Sequence, residues 1–181
     1  HVCGIILSIY NKVKIMPLRA VPDGDEYDKD IALAIRYAVN NGAKIINTSF
    51  GKSYSPHSDW VNGAIKYASR KDVLIVNASG NDSKNINPGL NKIFPNDEIN
   101  GKEIANNMII VGASTFMYNE KLPAYFSNFG SINVDLFAPG YQIYSSVPNN
   151  KYDYNSGTSM AAPSVSGVAA VIRSFYPNFF I

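Results

Sequence analysis

The residues best suited to chemistry lie in Gly157-Thr158-Ser159-Met160-Ala161-Ala162-Pro163, ahead of the small apolar run from Ser164 to Ile172. A serine that follows a glycine and a β-branched residue, and precedes a run of helix formers, sits at a loop-to-helix junction. Main-chain N–H groups there lack intrahelical partners, and the junction can hold a developing negative charge. Pro163 is expected in the first turn, where its missing N–H would have had no intrahelical partner. The plainer alternative is that Ser159 caps a buried helix and does nothing more.

Positioning such a residue requires a scaffold, and alternation along the chain suggests one. Ile31, Leu33, Ala34, Ile35, Ala38 and Val39 recur at helical spacing, and Asn40-Asn41-Gly42 closes that helix. Lys44–Ser49 reads as a short buried strand. Val61, Ala64, Ile65 and Ala68 form the next helix, with Ser58 or Asp59 as its cap. The stretch 72–81 is a strand ending in a Gly80-Asn81 turn, and 108–113 is another strand. Lys14–Val21 also reads as a buried strand, although Pro17 weakens the pattern. Residues 82–106, rich in Asn, Lys, Gly and Pro, read as a long surface excursion. Helix and strand alternating through short links predict an α/β domain with a parallel sheet, whose ligands gather at the strands' carboxyl ends.

Six stretches along the chain resemble subtilisin-like serine peptidases. Gly157–Ala161 is similar to the family's nucleophile motif, which implies that Ser159 attacks a peptide carbonyl. Ala78-Ser79-Gly80-Asn81 resembles Ala-Ala-Gly-Asn, which implies Asn81 as oxyanion donor and Ala78, Ser79 and Gly80 as a pocket wall. Asn47-Thr48-Ser49-Phe50-Gly51 resembles Asn-Met-Ser-Leu-Gly, so Ser49, Phe50 and Gly51 are expected to pair with extended substrate. Ala124–Gly130 and Val134–Gly140 are similar to two further stretches whose part is structural. His1-Val2-Cys3-Gly4 resembles the second half of His-Gly-Thr-His-Val-Ala-Gly, whose first histidine is the base. That match puts the base three residues before His1 and the orienting Asp earlier still. The resemblance implies a three-layer fold with a largely parallel sheet and helices on both faces, lacking its N-terminal part. Residues 1–181 are then one catalytic domain cut before His1, nearly inactive alone, with self-association expected at exposed sheet edges. A noncatalytic peptide-binding module of the same fold is the alternative.

Other features carry weaker signals. Asp23, Asp25, Asp28 and Asp30 follow Pro22 in an acidic turn; they suit a hard cation, a solvated loop with helix-start charges, or a cleft rim favouring basic residues. No metal site is assigned, and the proposed chemistry requires no cofactor, with a structural calcium left open. His57, the second of two histidines, is read as solvent-facing, with a substitute base as the minor reading. A single cysteine, Cys3, excludes an internal disulfide. The net charge of +2 with dispersed lysines does not describe a nucleic-acid footprint, and no apolar run approaches the roughly 20 residues of a bilayer span. The resemblance implies peptides or proteins as partners and a secreted or extracytoplasmic location.

Overall fold

Leu74-Ile75-Val76-Asn77-Ala78 is buried at every position, as a strand covered on both faces must be. It is the second strand of the computed structural model, which describes residues 1–21 and 23–177. In chain order the elements are α1 (Val2–Ile9), α2 (Asp28–Asn40), β1 (Ile45–Thr48), α3 (Ser58–Arg70) and β2 (Leu74–Ala78). A small hairpin of β3 (Glu98–Ile99) and β4 (Lys102–Glu103) leads to β5 (Met108–Ser114) and β6 (Leu136–Pro139). The hairpin of β7 (Ile143–Val147) and β8 (Lys151–Asn155) delivers the chain to α4 (Thr158–Phe175).

The main sheet has the order β1-β2-β5-β6 and is parallel throughout, with Ile45 opposite Leu74, Ile75 opposite Met108 and Val111 opposite Leu136. Alternate residues along β2 and β5 serve different layers. Ile75, Met108 and Ile110 pack with Ile31, Ile35 and Ile65 of α2 and α3. Leu74, Val76, Ala78, Val111 and Ala113 pack with Ala161 and Ala162 of α4. This is the expected three-layer α/β arrangement, with α1 lying against α4 on the second face.

The helix ends explain themselves. Gly42 and Ala43 donate to Val39 and Ala38, closing α2 in a Schellman turn with Gly42 at φ +86°. The same turn closes α3 around Asp72, a non-glycine residue at φ +56°. The Arg173 guanidinium of α4 holds Asp72 through both its carboxylate and its main-chain oxygen.

Several expectations are corrected. Residues 14–19 form no strand: Met16 and Leu18 stay exposed, and only Ala20 and Val21 reach the core. A strand needs a ladder, Pro17 has no N–H to give one, and β1 has no neighbour on its outer edge among the described residues. Pro22 lies outside the described residues. The N-cap of α2 is Tyr27 and that of α3 is His57, neither with a side-chain cap bond, so Asp28 and Ser58 are first helical residues. Residues 82–106 are no mere surface excursion, because buried Ile86 and Ile93 pin them to the α2–α3 core. Pro163 stands in the second turn of α4, inside the helix.

Candidate functional site

Ser159 is the second residue of α4, half-buried where that helix points at the carboxyl ends of β1 and β2. Its environment follows from the misplaced proline. Pro163 cannot supply the N–H that would bond the carbonyl four residues earlier, which is that of Ser159. Ser49 Oγ donates to this carbonyl at 3.0 Å, and Ser159 Oγ donates to the Ser49 carbonyl at 3.0 Å. The reciprocal pair ties the first turn of α4 to the end of β1. Asn47 orients it, donating through Nδ2 to Ser49 Oγ at 2.8 Å while Oδ1 accepts from Ser166 Oγ at 3.0 Å.

Asn81 approaches the same helix end from β2. Its Oδ1 accepts from the Thr158 N–H at 2.9 Å and from Thr158 Oγ1 at 3.0 Å. Thr158 Oγ1, fully buried, also accepts the Gly80 N–H at 3.1 Å. Because the Thr158 N–H can only donate, the carboxamide must turn its oxygen toward the helix. Asn81 itself is exposed, and its Nδ2 takes no part in these bonds. Thr158, quoted in the sequence motif but given no role there, is the group that sets this orientation.

Two main-chain arms leave the sheet beside these residues. Ladder pairing of β1 with β2 stops at Thr48 opposite Asn77, so Ser49, Phe50 and Gly51 run on beyond it. Phe50 packs against the core and Gly51 is exposed. On the other arm, Ala78 and Ser79 are buried and Gly80 turns the chain at φ +96°. Ile93 fills the space between the arms. A β-carbon at Gly51 would lie 3.3 Å from its Cγ2, and one at Gly80 3.4 Å from its Cδ1. Sequence reasoning did not single out Ile93, since it lies in a stretch without periodicity.

Within the acidic turn, Asp28 is buried and bonded while Asp25 is exposed. Asp28 is 5% exposed and accepts from Ser55 Oγ at 2.7 Å, the His57 N–H at 2.9 Å and Lys52 Nζ at 2.8 Å. Burial pushes its pKa up, but these hydrogen bonds and the Lys52 charge outweigh burial and hold it below the usual carboxylate value. Asp23 pairs with Arg19 at 3.0 Å. Among the described residues no group of three or more His, Cys, Asp or Glu is arranged to hold a metal. His57 is exposed and stacks on Trp60, ring centroids 4.3 Å apart and 8° from parallel. The Asn47 and Asn77 side chains of two glycosylation-like triplets are taken up in internal hydrogen bonds.

A sequence profile described as the subtilase family matches residues 1–180. A thermophilic serine proteinase of Bacillus sp. (strain AK1) is 36% identical, the match covering 96% of this chain and 42% of the relative. A cell wall-associated protease of Bacillus subtilis (strain 168) is also 36% identical, over 98% of this chain and 19% of the relative. The crystal structure of a cold adapted subtilisin-like serine proteinase superposes with a TM-score of 0.82 at 27% identity, covering 99% of this chain and 62% of the other. The chain thus spans less than two thirds of the length of these relatives. No helix among the described residues is long and apolar enough to cross a membrane.

Proposed function

The chain belongs to the subtilase family, and from that membership we propose that it is the nucleophile-bearing part of a serine endopeptidase. Ser159 attacks the peptide carbonyl, forming an acyl-enzyme and expelling the amine; water then releases the acid. The hydroxyl proton, now given to the Ser49 carbonyl, passes to a histidine base and from it to the leaving amine. By the match at His1, that base comes three residues before this chain, and its Asp partner from an earlier strand. The oxyanion is held by Asn81 Nδ2 and the Ser159 N–H. Ser49–Gly51 add the substrate to the sheet as a strand, and Ala78–Gly80 face the side chain before the scissile bond. This chemistry needs no cofactor. A relative named as cell wall-associated supports a location outside the cytoplasm.

The observation that carries the reading is the pinning of Asn81 by Thr158, one residue before Ser159. It leaves the carboxamide Nδ2 outside those two bonds, at the same helix start as the half-buried Ser159 hydroxyl.

Two measurements test it. A serine-directed phosphonate is expected to label Ser159 rapidly in protein carrying the upstream residues and only slowly in the 181-residue chain. Asn81→Ala in the longer protein is expected to lower kcat about 10²–10³-fold with little change in KM, a magnitude that comes from subtilisin, a relative. Equal peptide cleavage by Ser159→Ala refutes the assignment, and absence of cleavage by the longer protein with Ser159 intact leaves the noncatalytic binding module.

A further inference from the structure

The Ser79-Gly80-Asn81 turn lies past the end of its strand. Ladder pairing of β2 with β5 ends at Ala78 opposite Val111, and one more bond, from Ser79 N–H to the Val111 carbonyl at 3.0 Å, completes it. One residue far along the sequence makes four bonds to the segment that follows. Asn128 is completely buried. Its Nδ2 donates to the Ser79 carbonyl at 2.8 Å, and its main-chain N–H donates to the Gly80 carbonyl at 2.9 Å. Its Oδ1 accepts from the Asp82 N–H at 3.1 Å and the Lys84 N–H at 2.9 Å. The four bonds bracket Asn81 on both sides without touching its side chain.

The fit is close. A β-carbon at Gly80 would collide with Asn128 Nδ2, so the left-handed turn is shaped around this amide. Asn128 is itself anchored, because the neighbouring Ser127 Oγ accepts the Ala113 N–H of β5 at 2.9 Å. The amide therefore transfers the position of the central sheet to the turn. Thr158 fixes the Asn81 carboxamide from the helix, and Asn128 fixes the backbone from which that carboxamide springs.

We propose that Asn128 is a positioning residue for the oxyanion donor, acting on the transition state and not on substrate affinity. This rests on the reading of Asn81 as that donor. Displacing a donor by about 1 Å costs on the order of 10²-fold in rate, whereas a ground-state substrate held along Ser49–Gly51 is little affected.

The test uses the longer, active protein. Asn128→Ala removes the three side-chain bonds. Asn128→Asp is the second variant, keeping the acceptor for Asp82 and Lys84 while replacing the donor to Ser79 with a carboxylate oxygen. Both are expected to lower kcat about 10- to 100-fold with KM within about threefold, and melting curves identify folded variants. The same changes in an Asn81→Ala background are expected to alter kcat less than about twofold, since the donor they position is gone. An unchanged kcat in folded Asn128→Asp overturns the inference. So does an equal loss in the Asn81→Ala background, which marks general damage. If Asn81→Ala itself leaves kcat intact, the oxyanion reading fails first and takes this inference with it.

Discussion

At the residue scale, the cleft is decided by side chains that do little in isolation. Ile93 is 8% exposed and bridges the two main-chain arms, and under the proposed mode of peptide binding it crowds the residue before the scissile bond. Ile93→Gly in the active protein is expected to raise the kcat/KM ratio of phenylalanine over alanine at that position by about tenfold or more, measured with paired chromogenic peptides. An unchanged ratio would show that the substrate side chain goes elsewhere. Ser159 and Asn81 were singled out by the sequence because each sits in a short contiguous motif. Thr158 and Asn128 were not, since their partners are main-chain atoms far off in sequence, such as those of Ser79 and Gly80. No local pattern encodes a side chain that serves another segment's backbone.

Elements were legible where periodicity reports burial on a regular surface. The buried face of α3, Val61, Ala64, Ile65 and Ala68, is the one its spacing predicts. The strand expected at Lys14–Val21 failed because apolar content does not supply a ladder partner, and the proline of α4 fell a turn deeper than cap chemistry suggests. The β7–β8 hairpin also went unread, though Tyr144, Tyr152 and Tyr154 form an exposed aromatic row on it. Between elements, the joint of α3 and α4 is Asp72 with Arg173, both largely buried. Arg173→Met is expected to destabilise the fold by about 1–3 kcal/mol in urea titration, since it strands a carboxylate away from water. In an Asp72→Gly background the same change is expected to cost less, because glycine removes the carboxylate and suits the left-handed turn.

For the whole molecule, the parallel order of the sheet and its two covered faces were foreseeable from alternating helix and strand signals, but the charges in the loops were not. Asp97 has its pKa raised to about 6, by burial first and then by the nearby Glu103, Asp135 and Glu98 carboxylates. As pH rises past 3.8 the unfolded chain releases this proton while the folded chain keeps it, so stability falls until about pH 6 and then levels. Asp97→Asn is expected to raise Tm by about 2–4 °C at pH 8 and to leave it unchanged at pH 3.5 in calorimetry. A gain that persists at pH 3.5 would point to packing instead.

The stacked His57–Trp60 pair gives the molecule its own optical reporter. Trp60 is the single tryptophan of the chain, and its indole is face to face with a ring whose main-chain N–H is bonded to Asp28. Asp28 in turn is gripped by Lys52, one residue beyond the Ser49–Gly51 arm. Fluorescence excited in the indole band therefore comes from one place, three contacts away from the residue that adjoins the proposed peptide-binding arm, and a change in its intensity or lifetime on mixing would time the docking step without any attached dye.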